Sequence, residues 1–122
     1  MENKDFNLLE WHDATLKSIN IDRSNAGLND SKELHIVWPS GIENKLIFND
    51  VYYANLSLNF GIIAEECISD ANIIDDSNID LVKIKEKWSK LFEGIKDLRG
   101  FEILTASTGS KIEIFALSFK LV

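Results

Sequence analysis

Cysteine occurs once, at Cys67, so no internal disulfide can form and a thiolate-based zinc site would lack ligands. Histidine occurs twice, at His12 and His35, so a binuclear metal centre would have to be built almost wholly from carboxylates. One proline and six glycines argue against a long linker or disordered tail. No stretch of roughly eighteen apolar residues is present to form a transmembrane helix. The opening "MENKDFNLLEWHD" mixes charges of both signs where a signal peptide needs an apolar centre. A cytoplasmic protein of a reducing compartment is expected.

Positive charge is also in short supply. Thirteen Lys and Arg face twenty Asp and Glu, a net charge of −7. That balance tells against direct binding of DNA, RNA or anionic lipid, and it favours a basic protein partner. What the chain does have is an ordinary globular composition, 45% hydrophobic and 27% charged, spread evenly over 122 residues. A single domain spanning residues 1–122 follows, long enough to bury about two thirds of its unfolded surface.

Period-two patterns dominate. Residues 14–23 end with Ile19 and Ile21 on one face, and "SNAGLNDS" at 24–31 supplies a turn. Leu34, Ile36 and Trp38 share a face in the next strand, which Pro39 and Gly41 end. Residues 44–50 and 51–60 read as two more strands, the second with Tyr52, Ala54, Leu56, Leu58 and Phe60 opposite Tyr53, Asn55, Ser57 and Asn59. The segment 61–74 fits strand or helix, with strand preferred.

From Ser77 the period lengthens. "SNID" has the S-x-x-D form of a capping box, and Leu81, Ile84, Trp88, Leu91, Ile95 and Leu98 recur at helical spacing. The helix is expected over about 78–93, or to 99 if Gly94 does not end it and leave 95–99 as a separate turn. Beyond Gly100, "FEILTAS" and "KIEIFALSFKLV" form a C-terminal hairpin turning at Gly109. Phe115, Leu117, Phe119 and Leu121 face one way, and Ile112, Ile114 and Ala116 the other, so both faces of the last strand are apolar. The fold class is α+β: a largely antiparallel sheet of five to seven strands with one principal amphipathic helix before the hairpin. Trp38, Phe48, Leu58, Trp88, Leu91, Phe115 and Phe119 are the expected core.

Chemistry-bearing patterns are few. His12-Asp13 suggests a metal hydrolase motif, but an Asp in a turn ahead of a strand, with Trp11 and His12 packed or hydrogen-bonded at the sheet's end, explains the spacing better. "TASTGSK" at 105–111 lacks the order of a phosphate loop and reads as a hairpin turn. Asp70, Asp75, Asp76 and Asp80 lack the glycine of a calcium loop, Glu65 and Glu66 are adjacent and splay apart, and no G-x-S-x-G elbow occurs. No catalytic residue, metal ligand or cofactor is assigned. The residues best suited to contact a partner are Trp11, His12, Asp13, Tyr53, Asn55 and Asn59, aromatics and amides that offer area together with hydrogen bonds.

In "WHDATLKSINIDR", a strand-rich body and the "TASTGSKIEIFAL" hairpin, the chain resembles the small bacterial proteins grouped with immunity proteins of polymorphic toxin systems. The resemblance implies a non-catalytic protein that neutralises a cognate toxin by binding it, and the acidic charge makes a basic toxin domain the expected partner. The competing expectation is a small enzyme or ligand-binding domain using His12 and Asp13. A homodimer through an exposed edge strand is a third.

Overall fold

The alternating segments form six strands among the described residues: β1 (Thr15–Asp22), β2 (Ser31–Val37), β3 (Glu43–Ser57), β4 (Glu66–Ile73), β5 (Arg99–Thr105) and β6 (Lys111–Leu121). The computed structural model describes residues 3–25 and 31–122, with side chains from Phe6 onward; most of the turn read at 24–31 lies outside the described residues. All pairings are antiparallel, in the order β1-β2-β3-β6-β5-β4, and the sheet closes into a barrel. Closure is short. Thr15 pairs with Cys67 and Leu16 with Glu66, reinforced by Asp13 N–H to Ile68 O at 3.0 Å and Ile68 N–H to Ala14 O at 2.7 Å.

Inward residues of every strand fill the barrel, including Leu34, Ile36, Phe48, Ile68, Phe101 and Ile112. A 3-10 turn at Asn3–Leu8 precedes β1 and adds a plug to this interior. Its Phe6 is fully buried, with ring centroids 4.9 Å from Phe101 and 5.5 Å from Phe119. Tilted and edge-on contacts at these distances are the favoured aromatic geometries. Among the described residues no helix is long and apolar enough to cross a membrane.

One helix, α1 (Ile79–Trp88), and a 3-10 turn at Glu93–Asp97 lie between β4 and β5. They set Leu81, Ile95 and Leu98 against Phe115 on the outer face of β6. That strand is therefore buried on both faces around Phe115, as its two apolar faces imply. Its faces divide differently from the simple alternation, however: Phe119 joins Ile112, Ile114 and Ala116 in the interior, with Leu121 packed against them.

The cause lies across the ladder. Residues 44–60 do not make two strands but one, β3, broken by an irregularity. Asp50 takes φ 54°, a left-handed conformation that Asp tolerates better than most residues. The register then slips between Val51 and Tyr53. This bulge turns both Tyr52 and Tyr53 toward the helix cluster, while Ala54 and Leu56 still pack on the interior. Leu58 and Phe60 fall beyond the strand's end and are exposed rather than part of its apolar face. Segment 61–74 resolves into a loop followed by β4, a strand as preferred.

The helix is shorter than its periodicity suggests. Asn78, not Ser77, caps it, accepting from the N–H groups of Asp80 at 3.0 Å and Leu81 at 3.1 Å. Ser77 instead donates its N–H and O–H to Asp75, at 2.8 and 2.6 Å. At the other end the N–H groups of Leu91 and Phe92 both reach Trp88 O, and Leu91 emerges 79% exposed instead of joining the core. Trp88 is half-buried, its ring 5.3 Å from Tyr52.

Candidate functional site

The segment Trp11-His12-Asp13 lies where the barrel closes. Trp11 is buried and donates its indole N–H to Phe6 O at 2.8 Å. It therefore belongs to the core and offers no surface to a partner, a correction to its expected role. His12 Nδ1 lies 3.2 Å from the carbonyl of Ser69 in β4; a carbonyl only accepts, so this contact places a proton on Nδ1. Its Nε2 is 3.8 Å from Asp13 Oδ1, with both side chains open to solvent at 80% and 70% exposure.

Asp13 itself takes φ 68°. It serves the turn through its backbone, donating its N–H across the barrel seam, and its carboxylate lies 4.0 Å from the Cys67 thiol. Among the described residues no three of His, Cys, Asp and Glu are grouped to hold a metal ion.

A second cluster joins the loop after β3 to the β5–β6 hairpin. Thr105, Thr108 and Ser110 are buried and share hydrogen bonds, Thr105 Oγ1 to Thr108 Oγ1 at 3.1 Å and Thr108 Oγ1 to Ser110 Oγ at 2.8 Å. Thr108 also donates to the Glu66 carboxylate, and Ser107 to the Glu65 carbonyl. Asn59 completes the clamp. Its side-chain amide donates to Thr108 O at 2.9 Å, and its backbone N–H to Ser110 Oγ at 3.1 Å. The hydroxyl-rich "TASTGSK" is thus a hairpin, with Gly109 at φ 71°, whose hydroxyls anchor a neighbouring loop.

That loop carries an apolar surface. Phe60 is 86% exposed, Ile63 is fully exposed, and Leu58 and Ile62 are also open to solvent. Leu58, Phe60 and Ile62 line a cleft of about 330 Å³ that also takes in Leu16, Asn59 and Glu66. Period-two reading placed Leu58 and Phe60 on a buried strand face and so missed this patch. A sequence signal was present in Gly61, which follows Phe60 and ends the strand pattern.

The remaining expected contacts lie elsewhere. Tyr53 is half-buried, its ring 4.9 Å from Phe115, and it lines a larger cleft of about 670 Å³ between the end of β1, the bulge of β3 and Trp88. Asn55 is exposed further along β3. His12 and Asp13 line neither cleft. The six expected residues therefore do not converge on one site.

Unforeseen in the sequence is Lys32, buried at the start of β2 and lining the larger cleft. Its removal from water, with a further contribution from Arg23, pulls its pKa below the ordinary lysine value. The signal for it was its place in the Lys32-Leu34-Ile36 alternation, which puts all three on the inward face.

Fold and surface together define a closed six-stranded antiparallel barrel with an aromatic plug, an outer helix and a clamped apolar loop. No protein-family model matches the chain, and no curated protein matches it.

Proposed function

We propose that the protein is a non-catalytic binder of another protein, acting as an immunity protein that neutralises a basic toxin domain by direct contact in the cytoplasm. The observation that carries this reading is the loop 58–63. Phe60 and Ile63 stand almost wholly in water on a segment whose base is hydrogen-bonded to the β5–β6 hairpin. Large exposed apolar side chains on a held backbone are the arrangement from which interface hot spots are made. A loop ordered in advance also loses little conformational freedom on binding.

Charge supports the choice of partner. The chain carries −7 overall; Glu66 lines the cleft beside the loop, and Glu65 pairs at 3.8 Å with Lys17, which lines it too. A basic protein with an apolar centre would complement both features and would be steered onto this face at low salt. Asn59 then acts as the support of the loop, and His12, Asp13, Asn55 and Tyr53 are outlying positions.

Parallel affinity capture from the source cells, with the wild type and with a Phe60→Ser/Ile63→Ser variant, tests the reading. The wild type is expected to retain a basic protein whose toxicity it suppresses, and the variant to release it. Capture that is identical for the two would reject the loop as the binding surface.

A further inference from the structure

The larger cleft contains a charge that no described residue of its walls pairs with. Lys32 is 6% exposed, and among the described residues no hydrogen-bond or ion-pair partner meets its ammonium group. It follows the inward alternation of Leu34 and Ile36 and pairs with Phe48 of β3 in the ladder. A buried ammonium without a counter-ion is costly, and such groups are normally paired.

The other charges of the cleft do not supply that pair. Asp22, Arg23 and Asp50 also line it, but all three are exposed. The Asp22 carboxylate is already occupied by the N–H and O–H of Ser24, at 2.9 and 2.6 Å. Besides these charged residues and Ser31, the described walls offer apolar and aromatic surface, including Ile21, Val51, Tyr53 and Trp88. A volume of about 670 Å³ suits a small organic molecule.

We propose that this cleft binds a small organic anion, its carboxylate against the Lys32 ammonium and its flat apolar body against Trp88 and Val51. The site is separate from the loop 58–63 and stands whether or not that loop binds a protein. Burial makes the ammonium's present state unfavourable, and an anion of this shape provides the missing charge without hydrating it.

The test uses 1-naphthoate and uncharged 1-naphthamide at neutral pH, titrated into wild-type protein and Lys32→Met while tryptophan fluorescence is followed. The wild type is expected to bind the naphthoate about tenfold more tightly than the amide, one charge-assisted bond's worth of preference. Lys32→Met is expected to bind both probes alike, with amide affinity unchanged as the sign of an intact cleft. If that variant does not fold, NMR of the wild type replaces it: naphthoate must shift the Lys32 side-chain resonances. Equal affinities in the wild type, a preference retained in Lys32→Met, or shifts confined to the Phe60 loop would each overturn the assignment.

Discussion

The indole N–H of Trp11 donates to the backbone carbonyl of Phe6 at 2.8 Å, and the two rings lie 4.8 Å apart. Trp11 in turn meets Trp38 edge-on at 5.1 Å. The bond and the stacking hold the N-terminal 3-10 turn within the barrel, so residues ahead of the first strand are part of the core. Phe6→Ala is accordingly expected to destabilise the protein by about 3–5 kcal/mol, the usual cost of emptying a buried Phe site. Urea unfolding measures this; a change below about 1 kcal/mol would mean that the turn is not a structural plug.

Asp13 gives a sharper test of why a residue occupies its position. Its φ of 68° and exposed carboxylate assign its contribution to the backbone turn. Asp13→Gly should leave stability within about 0.5 kcal/mol, whereas Asp13→Val should cost about 1–2 kcal/mol from left-handed strain. Thermal unfolding of the two variants distinguishes this from a side-chain role, in which both would lose stability equally.

Lys32 couples stability to alkaline pH. Its folded pKa lies below the unfolded value of 10.5, so the native state sheds this proton before the unfolded chain does. The penalty of the buried charge is complete below the folded pKa and is relieved as pH rises toward the unfolded value. Lys32→Met, which removes the charge and keeps an apolar stem, should stabilise the protein at neutral pH, because it relieves the cost of holding an unpaired charge away from water. The advantage should shrink as pH approaches the unfolded lysine value. Denaturant unfolding of both proteins across that range measures the difference.

At the helix start, Asn78 and Ser77 have separable roles. Asn78→Ala should cost about 1 kcal/mol through loss of the cap. Ser77→Ala should act on Asp75, whose carboxyl is held below its ordinary 3.8 first by the Ser77 hydroxyl and then by its N–H. NMR titration is expected to show the Asp75 midpoint rising in Ser77→Ala and unchanged in Asn78→Ala. The stabilisation from this contact is present above the unfolded pKa of Asp75 and is lost as pH falls through the folded one.

Much of the architecture was legible because burial and alternation coincide. Leu34 and Ile36, Ala54 and Leu56, and Ile112 and Ile114 each keep the inward period that their sequence displays. The reading failed where geometry changes parity without a composition signal. Asp50 is an ordinary polar residue in sequence, yet its left-handed backbone and the adjoining slip rotate Tyr52 out of its face and redistribute Phe119. Leu91 fits the helical stripe but follows the point where α1 ends, and a periodic stripe does not encode that stop. Barrel closure was not foreseen either, since it rests on the pairs Thr15–Cys67 and Leu16–Glu66, far apart in sequence.

For the candidate site, Asn59 was identified but its role was inverted. It acts as a clamp, and the surface it supports is Phe60 and Ile63. His12 meets Ser69 O through one ring nitrogen, and Asp13 contributes its backbone N–H across the seam, whereas its spacing had pointed to a side chain that accepts backbone N–H bonds. Exposed apolar residues cannot be separated from buried ones by type alone; here the loop's departure from the barrel decides it.

The most direct measurement is calorimetric titration of the captured basic partner with the wild type and with Phe60→Ser/Ile63→Ser, alongside a check that both unfold at the same temperature. The proposed binding surface predicts that affinity falls by about 100-fold or more in the variant, since two exposed hot-spot side chains are lost together. Equal affinities for two equally stable proteins would contradict it.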